Sequence, residues 1–182
     1  MNIGLTQRVL FHNKKAYDSI EHGWYRFLKE HTLFFVPNRL DQNFAELANT
    51  LDCLIITGGD DSALRRTTEL KLATEMMKQQ KPIIGICHGC FLLQDVLGGD
   101  IVDIDNHHNT EHNVIYNDKK FTVNSYHVLS IKKLHSSGKV LAVDADNNIE
   151  AWIDNNVAGV VWHPERMKTP WLPTEIEELL EN

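Results

Sequence analysis

The 182 residues, 42% hydrophobic and 24% charged, can close one full core and read as a single domain over 1–182. The 25 acidic residues against 18 Lys and Arg give a net charge of −7, which argues against a nucleic-acid or anionic-membrane partner. No apolar run approaches the ~20 residues of a bilayer span, Met1–Thr6 does not read as a signal peptide, and three cysteines fit a reducing cytoplasm.

Ile3–Thr6 reads as a first strand. The spacing of Ile20, Trp24, Phe27 and Leu28 then predicts a helix over 17–29. Leu33–Val36 is a second strand, stopped by Pro37. A short helix at Phe44–Ala48 leads to Cys53–Thr57, an apolar strand of the kind covered on both faces. It runs into the turn Gly58-Gly59-Asp60-Asp61. A helix over 67–79 and a strand over 82–86 follow. Strands alternating with helices predict a parallel sheet with right-handed crossovers. Beyond Gly99 the chain becomes β-rich, with strands near 113–116, 121–123, 140–143, 149–153 and 157–161. The last segment, 174–180, reads as a helix capped by Thr174 with Glu177 three residues on.

Gly85-Ile86-Cys87-His88-Gly89 joins the fourth strand to a helix-like run. A nucleophile at the centre of such a turn is held up at a strand end, and the helix behind it favours a thiolate. Cys87 is therefore the candidate nucleophile. His163, at the end of the apolar run Val160-Val161-Trp162, is the candidate base, and Glu165 can turn back to orient it. The backbone N–H of His88 and the unshielded Gly58-Gly59 turn are candidate oxyanion donors.

Cys87-His88-Gly89-Cys90 also has redox spacing, but lies too late in the chain for a thioredoxin-like pair, and Cys90 reads as a packing residue. His108 and His112, four apart, would share a helix face. Asn106, Asn109 and Asn113 argue instead for a loop, no third ligand is evident, and no metal ion is assigned. Asp144–Asn148 lacks the Gly and Glu of a calcium loop and reads as a hairpin turn. Arg65 and Arg66 are equally a solvated pair or a site for an anionic substrate. Trp24, Trp152 and Trp162 read as packing residues, and Trp171 as a lid or partner contact.

The elbow and Trp162-His163-Pro164-Glu165-Arg166, with Ile3-Gly4-Leu5-Thr6-Gln7-Arg8, Thr57-Gly58-Gly59-Asp60-Asp61 and Val123-Asn124-Ser125-Tyr126-His127, resemble the class I glutamine amidotransferase-like superfamily over essentially the whole chain. The likeness is closest to the γ-glutamyl-γ-aminobutyrate hydrolase branch, the C26 peptidases. Within it, the chain resembles the small hydrolases of bacterial surface-polysaccharide loci, of which the γ-glutamyl-CDP-amidate hydrolases are one type.

The resemblance implies a flavodoxin-like three-layer α/β sandwich with a central, mostly parallel sheet and a β-rich C-terminal extension. It implies a Cys87–His163–Glu165 triad that cleaves a small γ-glutamyl amide through a thioester. The oxyanion hole would be formed by Gly59 and His88, and no cofactor is implied. Gly58, Phe91, Ser125, Tyr126 and His127 are the implied substrate contacts. Phe91 stands where the family often carries glutamine, and His88 where Arg or Leu is frequent, so a substrate other than plain glutamine is expected. The rival expectation is a glutaminase subunit feeding ammonia to a separate synthase.

Overall fold

The computed structural model describes residues 1–105 and 107–181. Five parallel strands form its centre: β1 (Asn2–Thr6), β4 (Thr32–Val36), β5 (Cys53–Ile56), β6 (Ile83–Ile86) and β13 (Val157–Val160). They lie side by side as β4-β1-β5-β6-β13. Numbered along the chain that is 2-1-3-4-5, the flavodoxin-like order. The expected three-layer α/β fold is therefore correct.

The β-rich extension continues the same sheet. Beyond β13 come β12 (Ile149–Asp154), β11 (Lys139–Val143), β8 (His108–Tyr116) and β9 (Lys119–Tyr126), all antiparallel to their neighbours. Two strands that the sequence does not announce, β7 (Asp100–Asp103) and β10 (Leu129–Lys133), pair with each other, and β10 also meets β12.

β5 and β6 are buried along their whole length, as double-sided coverage requires. Helix α3 (Ala63–Lys78) begins four residues before the predicted start, because Ser62 caps it by accepting from the Arg65 N–H at 3.3 Å. Helix α4 (His88–Leu97) is apolar and buried over its first two turns.

The helix predicted over 17–29 is a correction. Its first part is a hairpin strand, β3 (Lys15–Ser19), paired with β2 (Arg8–His12) through Asn13-Lys14, both at positive φ. Two such residues make the turn that suits a two-residue hairpin loop. Only α1 (Gly23–Phe27) is helical, and the apolar spacing reflects Trp24 and Leu28 anchoring the segment in the core. At the other end, α2 (Phe44–Thr50) lies as expected, whereas α5 is only Thr174–Glu177, followed by a 3-10 turn at Glu178–Leu180. Thr174 does not cap it: Pro173 occupies that position, and the Thr174 N–H donates to the Tyr116 hydroxyl at 3.2 Å.

No helix among the described residues is long and apolar enough to cross a membrane.

Candidate active site

Three adjacent parallel strands, β5, β6 and β13, deliver the candidate groups from their carboxyl ends, where such sheets open a crevice. Cys87 follows β6 directly, at φ 49° and ψ −102°, a strained conformation for a residue with a side chain. Its N–H donates to the Val160 carbonyl at 2.9 Å, tying the turn to β13. The flanking glycines are obligatory. A Cβ on Gly85 would lie 2.5 Å from the Gly89 carbonyl, and one on Gly89 would lie 2.2 Å from the Ile56 carbonyl oxygen. Helix α4 starts immediately after Cys87 and directs its N-terminal dipole at the sulfur.

His163 stands three residues past β13 and is buried, as is Glu165. Its Nδ1–H donates to Glu165 Oε1 at 2.7 Å, leaving Nε2 as the ring nitrogen free to act on the Cys87 thiol. Burial opposes charge on the ring, yet the bonds and charges of Cys87 and Glu165 raise its pKa to about 9. The Asn124 carboxamide brackets the same residue: its Nδ2 donates to the His163 carbonyl and its Oδ1 accepts from the His163 N–H, both at 2.8 Å. Sequence reasoning puts the Asn124–His127 segment near substrate. It misses the role in holding His163, which only a register linking β9 to the β13 end could have signalled.

The turn after β5 is held from behind. Arg65 is fully buried, with Nη2 donating to the Thr57 carbonyl at 2.5 Å and reaching the Gly58 carbonyl at 3.4 Å, and Nη1 donating to the Asp60 carbonyl at 3.0 Å. In a trans peptide the N–H points opposite the C=O. A Gly58 carbonyl turned toward Arg65 therefore turns the Gly59 N–H away from it. Gly59 itself sits at φ 115°.

Glu69 neutralises Arg65 with a 2.8 Å bond, accepts from the Thr6 hydroxyl at 2.7 Å, and meets His88 Nε2 at 2.8 Å. Burial opposes its charge, but His88, Arg65 and Thr6 together hold its carboxyl below the usual carboxylate range. One buried carboxylate thus links the Gly58-Gly59 turn to the first residue of α4.

Of the two arginines, then, Arg65 is structural and is withdrawn as a substrate contact. Arg66 does line the cleft, paired with Asp95 and, at 3.7 Å, with Asp61.

A cleft of about 410 Å³ opens over Cys87, within the range of small-molecule sites. Gly59, His88, Phe91, Tyr126 and His127 line it, with Leu92, Ile101, Val128 and Leu129 as apolar wall. Tyr126 sets its ring edge against His163 at 5.6 Å and carries Arg166 over its face at 4.8 Å. Two predicted contacts fall elsewhere. Ser125 is fully buried, its hydroxyl donating to the His107 carbonyl. Gly58 lies against the His163 ring, where a Cβ would be 2.2 Å from Cε1.

Cys90 is buried and accepts from the Trp152 indole N–H at 3.2 Å. Burial pushes its thiol pKa up, against any ready redox partnership with Cys87. Trp171 is no lid: it is stacked between Phe121 and Trp162, at 4.1 and 5.2 Å. Asp144–Asn148 is the expected turn between β11 and β12, with Asp144 Oδ1 accepting from the Asp146 and Asn148 N–H groups.

The stretch read as a loop around His107–His112 is a strand from His108 on, and Asn106 lies outside the described residues. A register shift at Asn109, φ 56°, turns His108 outward and leaves His107 beside His112, with ring centroids 4.8 Å apart.

The family model for Glutamine amidotransferase class-I matches residues 14–181. The gamma-glutamyl-CDP-amidate hydrolase of Campylobacter jejuni is 28% identical over 91% of this chain and 90% of its own length. A glutamine-hydrolyzing GMP synthase subunit of Archaeoglobus fulgidus is 30% identical over 83% of this chain and 88% of its own. Among solved structures, a GMP synthase subunit from Thermoplasma acidophilum superposes with a TM-score of 0.74 at 18% identity, covering 98% of this chain and 91% of that one. A glutamine amidotransferase from Thermotoga maritima gives 0.69 at 15% identity over 90% and 76%.

Proposed function

The chain belongs to the class-I glutamine amidotransferase family, and from that premise we propose that it is a cysteine-dependent hydrolase of a small γ-glutamyl amide. The observation that carries this reading is the strained turn of Cys87, tied to the end of β13 from which a buried, Glu165-oriented His163 follows, at the open end of three neighbouring strands. Residues 1–182 act as one catalytic domain in this reading.

In the first half-reaction the Cys87 sulfur attacks the γ-carbonyl carbon while the imidazolium of His163 holds the proton taken from the thiol. The oxyanion is met by the Gly59 and His88 N–H groups, each worth about 3–4 kcal/mol in comparable sites. His163 returns its proton to the departing nitrogen as the C–N bond breaks, leaving a γ-glutamyl thioester. Neutral His163 then takes a proton from water, whose oxygen attacks the thioester. Glutamate leaves and the thiol is restored. These steps require no cofactor.

Similarity to the C. jejuni hydrolase along nearly the whole chain supports a γ-glutamyl conjugate as substrate. So does Phe91 in the cleft wall, its ring 5.9 Å from that of His127, where the family often has a carboxamide. The free thiols support a cytoplasmic setting in this reading, and the resemblance supports a place in surface-polysaccharide biosynthesis.

The test is glutamate release by purified protein from a panel of γ-glutamyl amides that includes glutamine, γ-glutamyl-γ-aminobutyrate and phosphoramidate conjugates. Faster release from a conjugate than from glutamine, abolished in Cys87→Ala, is expected. Absence of both turnover and a covalent adduct with a glutamine-analogue electrophile would sink the reading.

A second reading, a glutaminase subunit serving a synthase, is favoured by one feature besides the synthase relatives. The β2–β3 hairpin begins at Arg8, beside Gly59, and exposes Phe11 at 76% of its surface. Turnover that appears only when a synthase partner is added would select it.

A further inference from the structure

Behind the cleft wall, at the end of β11, lies a cluster that the amide chemistry does not use. β11 stops at Val143, opposite Ile115, while β8 continues past it toward its start. His112 on β8 therefore faces β12 with no strand between them, and its Nε2 lies 3.0 Å from Glu150 Oε2. The bulge at Asn109 adds His107 to the same face. Its Nδ1 is 3.0 Å from the Asp105 carbonyl and its Nε2 is 3.3 Å from Asp144 Oδ2. His127 closes the group, its ring centroid 5.2 Å from that of His107 and 6.1 Å from that of His112.

We propose that His107, His112 and Glu150 form a site for a divalent ion of the zinc class, with His127 Nε2 as the fourth donor. One donor atom from each of the first three lies within 4.8 Å of the others. Tetrahedral zinc with bonds near 2.0–2.2 Å needs donors about 3.4 Å apart, so the widest pair closes by about 1.4 Å. That is a side-chain adjustment, and His107, which precedes β8 rather than pairing within it, is the residue placed to make it.

Three further observations call for a cation. Glu150 is 1% exposed, and among the described residues no Lys or Arg pairs with it. A buried carboxylate without a fixed positive partner is costly. His112 Nδ1 and His127 Nε2 are both buried with no hydrogen-bond partner. The His127 Nδ1–H donates to the Leu129 carbonyl at 2.7 Å, which leaves Nε2 a bare lone pair in a dry site. Finally, His107 presents both ring nitrogens to oxygen acceptors, an arrangement a neutral ring cannot satisfy alone.

Two imidazoles and a carboxylate suit zinc, and also cobalt and nickel, over magnesium or calcium. The ion would pin β8 to β12 and, through His127, stiffen the wall over Cys87. It would take no part in bond breaking.

The test is titration of chelator-stripped, full-length protein with Zn²⁺ by calorimetry and with Co²⁺ by visible absorption. A Cys87→Ser background removes the competing thiol. One equivalent bound at micromolar or tighter Kd is expected, with the intense bands of a four-coordinate cobalt site and a raised Tm. His112→Asn should weaken binding by about a hundredfold or more, and His108→Ala, one residue from the bulge but facing outward, should leave it unchanged. If His112→Asn fails to fold, as judged by circular dichroism, His107→Ala takes its place. No stoichiometric binding, or equal binding by the His107 and His112 variants, overturns the proposal.

Discussion

Asn124 grips His163 by its main chain, donating to the carbonyl and accepting from the N–H of the same residue at 2.8 Å each. β9, which carries Asn124, belongs to the antiparallel extension, whereas His163 follows the last parallel strand. The fork therefore couples the two halves of the sheet at the point where the base must be placed. Asn124→Leu strands two buried backbone groups, each costing about 1–3 kcal/mol. The expected result is a lower urea midpoint together with a fall in kcat of about a hundredfold, the effect of misplacing a catalytic group by about 1 Å. Asn124→Asp keeps the acceptor and loses the donor, so it should fall between Asn124→Leu and wild type. If Asn124→Leu matches wild type in kcat, the fork does not position His163.

Glu69 makes a related prediction at the other wall of the cleft. It neutralises buried Arg65 and meets His88, so Glu69→Gln leaves Arg65 uncompensated. Breaking a buried pair in this way costs about 3–5 kcal/mol. The folded pKa of Glu69 lies below the ordinary carboxyl value of 4.5, so its contribution is present above about pH 4.5 and is lost as pH falls through the folded value. Urea midpoints measured from neutral to acid pH should show wild type and Glu69→Gln far apart near neutrality and converging in acid. A constant gap across that range would count against the assignment. Because Arg65 orients the Gly58-Gly59 turn, glutamate release should also slow in Arg65→Met preparations that remain folded.

Gly58 tests steric room directly. A methyl there would stand 2.2 Å from His163 Cε1, so either the turn or the ring must move. Gly58→Ala should cut kcat by about a hundredfold. Binding of a glutamyl product, read by calorimetry, should change much less. A variant whose kcat is intact would mean that the ring has slack the contact does not suggest.

Much of this site was legible because its constraints are local. The elbow is five consecutive residues, and Gly85, Cys87 and Gly89 each answer to a contact or a dihedral within that turn or the strand beside it. His163 and Glu165 are two apart, so their pairing could also be read. The parallel strands showed as apolar runs because both faces are buried. What escaped depends on register between distant segments. Asn124 meets His163 only through the sheet, and Arg65, beside the half-buried Arg66, is buried because Glu69 waits one helical turn on. The β2–β3 hairpin was missed for another reason. Its strands are largely exposed, so Val9-Leu10-Phe11 shows no alternation of buried and exposed faces, and its Asn13-Lys14 turn lacks the usual glycine.

The pH profile offers the most direct check on the Cys87–His163 pair. Burial opposes protonation of His163, and the bonds to Cys87 and Glu165 more than offset it, raising the ring from 6.5 to about 9. A group whose folded pKa is raised stabilises the fold fully below its unfolded value, here about pH 6.5, and loses that contribution as pH rises through about 9. The same proton serves the leaving nitrogen, so kcat/KM for glutamate release, which reports the free enzyme, should fall on the alkaline side with an apparent pKa near 9. Glu165→Gln removes one of the groups that hold the proton on the ring, and should move that limb toward neutrality while lowering the plateau. Ring-proton NMR through the same range should show the midpoint shift in step with the kinetics. An alkaline limb that stays put in Glu165→Gln would mean that the limb reports another group, and would separate Glu165 from the proton on His163.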